Sequence, residues 1–401
     1  MTIKAKMSAT VILVLGQLIS GILSLSATIF MARFCGPVVF GFCAISILGL
    51  GVLQDFVDFG MSSYAARELA SGRISTRKFI DIRNRKNQWS LVIFVVWPVL
   101  VVIMPTRSIF SAFLFCLYPM CWLRTNYIQQ HLIAIGEISS SVKLLIVDRL
   151  TWNTVVIFNF LQFDSYLIYI LPIILGLVTH GIVGEIILRR KFGPFNLIKS
   201  SQAFNSLSSR HFGVVSILSD VHNLDAIIVA KFSTLLESSK YSLAGRFRSP
   251  FTIVFQSIAT HLRPVAASKD RSKISRAIKQ DAPIAIGGVL LVSLLSFSLY
   301  KNSERIFGSS YAGVGSVLLI ATLCAIPLGI SSIAATFLSA VGEEKFVSRL
   351  SICTIPANIV LLIYTSNKYG AFGAAVGVIS VNLALAILYS FQSWKIYKDL
   401  V

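Results

Sequence analysis

The segment TVILVLGQLISGILSLSATIFMA, residues 10–32, contains no charged side chain and is long enough to cross a bilayer as a helix. Apolar segments of similar length follow it almost to the end of the 401-residue chain, with short polar loops between them. Only 13% of the residues are charged and 55% are hydrophobic. A water-soluble domain carries about a quarter charged residues. The pattern therefore predicts an all-α integral membrane protein.

Hydropathy divides the chain into about twelve transmembrane helices, each near the roughly 20 residues that a bilayer requires. The predicted spans are residues 10–33, 38–62, 88–104, 109–130, 144–162, 165–188, 213–231, 241–263, 282–300, 314–340, 349–366 and 371–394. The start of the chain is expected to remain as the first span, because its apolar stretch is longer than that of a secretory signal peptide.

The basic residues of the loops orient these spans. Most of the 36 Lys and Arg residues fall in alternate loops, above all in 65–87, 189–212 and 264–281. Because cytoplasmic loops carry the excess of Lys and Arg, both termini are predicted to be cytoplasmic. The net charge of +19 is thus explained by topology, and charges confined to short loops do not predict a nucleic-acid groove.

The two halves of the chain echo each other. The first span ends in Met31-Ala32-Arg33-Phe34 and the seventh in Val229-Ala230-Lys231-Phe232, at an offset of 198 residues. Parallel repeats related by an axis along the membrane normal are a transporter architecture. We therefore expect two pseudo-symmetric six-helix bundles, residues 1–200 and 201–401.

Motifs of soluble enzymes and metal sites are missing from the sequence. It contains no GxSxG, no HExxH and no Gly-rich loop ending in GK[ST]. The six cysteines form no CxxC pair and no Cys/His cluster with zinc spacing, which predicts neither a metal nor a disulfide framework. A transporter without a cofactor is therefore favoured over an enzyme.

The seventh predicted span carries a group of polar residues within two helical turns. Asp220, His222 and Asp225 are the ionisable members, and Asn223 lies among them. Intramembrane carboxylates and histidines carry protons or bind cations in transporters, so these three are candidates for ion coupling. The alternative is a structural ion pair between an aspartate and Arg246 or Arg248.

A set of basic residues lies within the predicted spans or at their ends. Its members are Arg33, Arg124, Arg149, Lys231, Arg246 and Arg248. Because a guanidinium group binds phosphate and carboxylate oxygens in a bidentate manner, a cationic cavity lined by these residues would attract an anionic substrate. Snorkelling to lipid head groups is the alternative for Arg33 and Lys231, and local pairing with Asp148 for Arg149.

Further charged residues receive weaker interpretations. Asp55 and Asp58 near the end of span two are interpreted as interfacial residues paired with cations of the following loop. His180 and Glu185 in span six form a second candidate proton relay.

Several short motifs resemble those of bacterial polysaccharide-export flippases. In the first half they are Gln17-Leu18, Met31-Ala32-Arg33-Phe34-Cys35-Gly36-Pro37, Phe40-Gly41, Asp58-Phe59-Gly60 and Ala66-Arg67-Glu68-Leu69-Ala70. In the second half they are Asn223-Leu224-Asp225, Tyr241, Ala244-Gly245-Arg246, Pro250, Ile306-Phe307-Gly308 and Tyr311-Ala312-Gly313. Over nearly its whole length the chain thus resembles the Wzx-type flippases of the multidrug/oligosaccharidyl-lipid/polysaccharide exporter superfamily. Cys35 departs from the Leu expected before Gly-Pro.

The resemblance implies export of undecaprenyl-pyrophosphate-linked oligosaccharide repeat units, of O-antigen or a related lipopolysaccharide or surface polysaccharide, from the inner to the outer leaflet of the bacterial plasma membrane. It implies alternating access between two bundles, an ion gradient as the drive, and a polysaccharide polymerase and chain-length regulator as partners. The arginines would hold the diphosphate. Two alternatives stay open: a cation-coupled multidrug exporter of the same superfamily, and a membrane polymerase or ligase of lipid-linked sugars.

Overall fold

The computed structural model describes residues 3–103, 109–159, 165–193, 224–267 and 270–399, and all regular structure in these ranges is helical. The helices of the first half are α1 (Ile3–Asp58), α2 (Met61–Ala70), α3 (Thr76–Trp89), α4 (Trp97–Ile103), α5 (Ile109–Ala134), α6 (Ile138–Asn159) and α7 (Ser165–Phe192). Those of the second half are α8 (Asp225–Phe232), α9 (Leu235–Ala267), α10 (Arg271–Phe307), α11 (Val314–Leu323), α12 (Ala325–Val341) and α13 (Glu344–Asp399). Two 3-10 helices, Ser90–Val96 and Ser309–Tyr311, complete the described elements.

Five described helical segments are long and apolar enough to cross a membrane: Leu15–Asp58, Tyr166–Phe192, Arg271–Phe307, Val314–Val341 and Lys345–Asp399. They contain the ninth, tenth, eleventh and twelfth predicted spans and most of the first, second and sixth. Helices α5, α6 and α9 fall on the fourth, fifth and eighth. Most of the seventh predicted span lies outside the described residues. The multi-pass α-helical class is therefore confirmed, while the count of twelve and the orientation of the termini stay predictions.

Two of the long helices each contain two predicted spans. In α1 the break falls at Gly36, with φ 72° and ψ 165°. In α13 it falls at Gly370, with φ 60° and ψ −143°. Both conformations are strained for residues with a Cβ, and Pro37 follows the first break directly. The chain therefore turns at these two glycines.

Contacts divide the chain into two compact units, Met1–Leu224 and Asp225–Val401. The predicted domain boundary at residue 200 lies outside the described residues and stays a prediction.

In the first unit, α1 packs against α5, α6 and α7, while α2 and α3 pack on α5. Close helix contact depends on small residues, as in membrane proteins generally. A Cβ at Gly184 of α7 would lie 2.5 Å from a methyl group of Ile128 on α5. Around this point Ile128, Leu132, Leu144 and Leu188 form a buried cluster. The unit is thus centred on α5, α6 and α7.

In the second unit, α9 is the central helix and packs against α8, α10, α11, α12 and α13. A Cβ at Gly329 of α12 would lie 2.2 Å from the ring of Phe255, so glycine permits the close approach of α12 to α9. At the far end of α9, Leu262 and Ala266 are buried against Ile274 of α10 and Phe337 of α12. Residues of α9 therefore contact every other described α-helix of the second unit.

Candidate functional site

A buried polar cluster in the second unit begins at Asp225, the first residue of α8. Asp225 is 4% exposed, and the hydroxyl of Tyr241 on α9 donates a hydrogen bond to its Oδ2 atom over 3.1 Å. Arg248 follows Tyr241 by two helical turns, which places both on one face of α9. Its charge acts on both Asp225 and Tyr241. The carboxylate thus accepts a hydrogen bond from one hydroxyl group, and the charge of one guanidinium group acts on it.

Two further helices complete this cluster. The Nη1 atom of Arg248 lies 4.0 Å from Sγ of Cys324, the residue between α11 and α12. The side-chain amide of Asn382 on α13 lies 3.8 Å from the same sulfur. We call Asp225, Tyr241, Arg248, Cys324 and Asn382 the C-unit cluster. It joins the start of α8 to α9, α12 and α13.

The sequence identified Asp225 and Arg248 but assigned them to separate groups. The structure places the two in one cluster, where the charge of Arg248 acts on Asp225, but the ion pairs of the described residues do not include a direct contact between them. Tyr241 could have been linked to Arg248 by their spacing of seven residues. Cys324 and Asn382 have no such signal, because they reach the cluster through tertiary packing.

The other predicted site residues of the second half are not members of the C-unit cluster or lie outside the described residues. Lys231 is exposed and is next to the last residue of α8. Arg246 is half-buried on α9. Asp220 and His222 lie outside the described residues, so their ion-coupling role stays a prediction.

In the first unit, the predicted cations lie in three different environments. Arg33 is exposed and precedes the break at Gly36 by three residues. Arg149 Nε lies 3.9 Å from Oδ2 of Asp148, and its guanidinium group stacks over Trp152 at 4.7 Å from the ring centre. This is the local pairing weighed as an alternative. Arg124 is close to Glu185, as described below.

His180 faces Asp148 and not Glu185, which corrects the predicted relay. The Nδ1 atom of His180 lies 4.0 Å from Oδ2 of Asp148, and both side chains are buried. Within the described residues, neither ring nitrogen of His180 has a hydrogen-bond partner. The relay was wrong because residues five apart on a helix point in different directions, so α6 supplies the carboxylate that faces His180.

The carboxylate of Glu185 instead lies close to three arginines. Arg83 Nη1 of α3 lies 2.9 Å from Oε2, Arg124 Nη2 of α5 lies 3.8 Å from Oε2, and Arg189 Nε lies 3.6 Å from Oε1. The Arg83 side chain is 5% exposed, whereas Arg124 and Arg189 are 49% and 61% exposed. We call these four residues the Glu185 cluster. It ties α3 and α5 to the end of α7.

Asp58 at the end of α1 forms a second buried junction. Tyr127 of α5 donates to Oδ1 over 2.8 Å, and the Ser62 hydroxyl donates to Oδ2 over 2.7 Å. Lys86 of the basic segment acts on Asp58 through charge, and its ammonium group donates to the backbone carbonyl of Val57 over 2.7 Å. The sequence predicted loop cations as the partners of Asp58, but the hydroxyl groups of Ser62 and Tyr127 donate hydrogen bonds to its carboxylate. Asp58 therefore joins the end of α1 to α2 and α5.

No protein-family model and no curated protein matches the chain. Solved structures do. An outward-facing multidrug resistance MATE family transporter of the MOP superfamily matches with a TM-score of 0.70 and 14% identity, over 98% of this chain and 96% of that chain. An inward-facing one matches with a TM-score of 0.72 and 13% identity, over 95% of both chains. A mutant of the Vibrio cholerae MATE transporter VcmN matches with a TM-score of 0.62 and 15% identity, over 98% and 97%.

The chain has a MATE-type transporter fold. At these identities the likeness shows the fold alone. The neighbours with this fold are transporters. The three neighbours are not polysaccharide flippases, so the O-antigen and lipopolysaccharide assignments and the bacterial inner membrane stay predictions.

Proposed function

We propose that this chain is a cation-coupled exporter of the multidrug type. The observation that carries this proposal is the match to MATE transporters over nearly the whole of both chains. Those neighbours have been solved facing outward and facing inward, which supports alternating access for a chain of the same fold. This was the alternative function weighed from the sequence, and the comparisons support it better than the flippase.

The C-unit cluster is the proposed coupling site. A proton or other cation that binds Asp225 would neutralise its carboxylate, on which the charge of Arg248 acts. The hydrogen bond that this carboxylate accepts from Tyr241 would change as well. Since a ligand shifts a conformational equilibrium only by binding two states unequally, the cluster must hold the cation more tightly in one state. Its contacts with α8, α9, α12 and α13 give it the means to change with helix packing.

A second candidate is the flippase for undecaprenyl-pyrophosphate-linked oligosaccharides. Specific charges favour it: Arg124 and Arg189 are exposed beside one shared carboxylate. A cationic surface suits a diphosphate and disfavours the lipophilic cations that many drug exporters carry. In that case Arg124 and Arg149 of the first unit and Arg246 and Arg248 of the second are the candidate ligands for the diphosphate or acidic sugars, and Arg33 and Lys231 are further candidates. The polymerase and chain-length regulator would be partners.

One pair of cellular assays separates the two candidates. The chain is expressed in a bacterium that lacks its drug exporters, and ethidium accumulation is measured. It is also expressed in a flippase-deleted bacterium that makes the matching repeat unit, and surface polysaccharide is measured on a gel. Membrane expression is checked in both hosts, and Asp225→Asn serves as the coupling-deficient control.

Lower ethidium accumulation, lost in Asp225→Asn, would support the multidrug exporter and its coupling site. Restored surface polysaccharide without any effect on ethidium would replace it with the flippase. If neither readout changes in hosts with normal membrane levels of the chain, both substrate classes are rejected.

A further inference from the structure

We propose that the Glu185 cluster is a binding site for the phosphate head group of an anionic phospholipid. This inference does not depend on the exported substrate. It starts from an imbalance of charge: three guanidinium groups lie within 4.0 Å of Glu185, and across the part of the chain that the structure describes they have no second carboxylate within that distance. Two positive charges are left over at a point where helices of a membrane protein end.

The floor of the proposed site is preorganised. Arg83 and Glu185 are buried and joined by two hydrogen bonds, of 2.9 Å from Nη1 and 3.5 Å from Nη2. The Nε atom of Arg83 is buried and has no hydrogen-bond partner among the described residues. Such an orphaned donor in a charged group is costly, so a further acceptor beside it would be stabilising. The buried pair therefore holds Glu185 in place beside Arg124 and Arg189.

The mouth of the site is formed by Arg124 and Arg189, which are half exposed or more. Each approaches Glu185 only at 3.8 and 3.6 Å, beyond the range of a good hydrogen bond. Their remaining donors are open to a planar or tetrahedral oxyanion. Arginine is the preferred residue for phosphate because its fork of donors matches the oxygen geometry.

The position along the helices indicates a lipid head group as the source of the phosphate. The apolar run of α7 ends at Leu188 and is followed by Arg189, Arg190 and Lys191. Trp89 at the end of α3 and Phe192 at the end of α7 are exposed, and aromatic residues of this kind mark membrane–water boundaries. Arginines at such a boundary sit at the depth of phospholipid head groups.

The test uses the full chain in detergent, titrated with short-chain phosphatidylglycerol and followed by native mass spectrometry. The double variant Arg124→Gln/Arg189→Gln keeps the buried Arg83–Glu185 pair. We expect its affinity for phosphatidylglycerol to be about 30-fold lower than that of the parent chain, from the loss of two basic contacts to an anionic head group. Arg190→Gln removes one charge, half of that removed by the double variant, from the same helix end outside the cluster, and should change the affinity less than about threefold.

Two further ligands fix the chemistry. Phosphatidylcholine, which is zwitterionic, should bind the parent chain no better than it binds the double variant. Inorganic phosphate at equal concentration should not displace phosphatidylglycerol. The proposal is overturned if the free energy of binding lost per charge removed is the same in the double variant and in Arg190→Gln, since that would mean a diffuse field. It is also overturned if phosphatidylcholine or free phosphate binds as well as phosphatidylglycerol.

Folding is controlled separately. Arg124→Lys/Arg189→Lys retains both charges and should recover most of the affinity, because point charges still bind phosphate. If the double glutamine variant melts at the same temperature as the parent chain and still binds phosphatidylglycerol normally, the arginines are only an anchor between helices and the lipid site does not exist.

Discussion

Tyr241 donates a hydrogen bond to Asp225 over 3.1 Å, and both side chains are buried next to Arg248. This hydrogen bond joins the start of α8 to α9, so a change in the charge of Asp225 alters a contact made by the central helix of the second unit. An aspartate that served only packing could be replaced by asparagine with little loss, whereas one that binds and releases a cation could not.

We expect Asp225→Asn to lower coupled export by about tenfold or more, because the carboxylate charge is lost while the shape is kept. The measurement is export activity per molecule of chain in the membrane. Tyr241→Phe is the matched control: it removes the hydrogen bond, at a cost in stability of about 1 kcal/mol, and keeps the charge. Equal export by Asp225→Asn and the parent chain would remove Asp225 from the mechanism.

The Glu185 cluster should stabilise the first unit far more than an exposed ion pair. Glu185→Gln leaves Arg83 buried without its carboxylate, and a broken buried pair costs about 3 kcal/mol or more. The comparison is Glu137→Gln, which breaks the partly exposed pair between Glu137 and Lys191 and should cost less than about 1 kcal/mol. Thermal unfolding in one detergent measures both, and a similar loss in the two variants would contradict the buried role.

Asp270 should lose its helix-capping role only in strong acid. Its carboxylate accepts hydrogen bonds from the Ser272 hydroxyl and from the Ser272 and Lys273 amides at the start of α10. The Ser272 hydroxyl, followed by the Lys273 amide, is the main cause that lowers its pKa from 3.8 to about 2. A lowered folded-state pKa means that the cap contributes stability above the unfolded pKa and loses it as the pH falls through the folded value. The loss should therefore run from about pH 4 to about pH 2.

Titration of the Asp270 carboxyl carbon by NMR tests this range directly. Ser272→Ala, which removes one donor hydroxyl, should raise the pKa toward its ordinary value. An unshifted titration near pH 4 in the parent chain would show that the cap is not formed.

Hydropathy predicted the helices well because each span needs its own apolar segment, which is a local property of the sequence. The break at Gly36-Pro37 was predicted as the gap between spans one and two, and Gly370 as the gap between spans eleven and twelve. The third span was less regular than expected, because residues 90–96 form a 3-10 helix before α4 begins at Trp97.

The sites were predicted less well because they depend on which helix faces which. Asp225 and Arg248 were identified as charged residues close to apolar segments, and this can be seen in one sequence alone. The partner of His180 was not, since Asp148 reaches it from α6 across a helix contact that the glycine at 176 permits. The three arginines on Glu185 come from α3, α5 and α7, and no local spacing joins Arg83 to a residue 102 positions away.

Substitution by alanine should destabilise the protein more at Gly370 than at Gly36, the two glycines at which the helices break. Both have a positive φ, of 72° at Gly36 and 60° at Gly370, so either substitution strains the backbone by about 1–3 kcal/mol. Around Gly36 nothing lies within 4 Å of an added Cβ, but at Gly370 that atom would lie 2.6 Å from Oε2 of Glu237. The same oxygen accepts a hydrogen bond of 2.9 Å from the Ala371 amide.

Gly370→Ala should therefore displace Glu237 and leave the Ala371 amide without its partner, which adds about 1–2 kcal/mol to the backbone strain. The additional cost should vanish in a Glu237→Ala background, where the clash and the hydrogen bond are already absent. Unfolding midpoints of Gly36→Ala, Gly370→Ala, Glu237→Ala and Gly370→Ala/Glu237→Ala measure this. Strict additivity of Gly370→Ala and Glu237→Ala would contradict the contact, because two residues that share one carboxylate oxygen must be coupled.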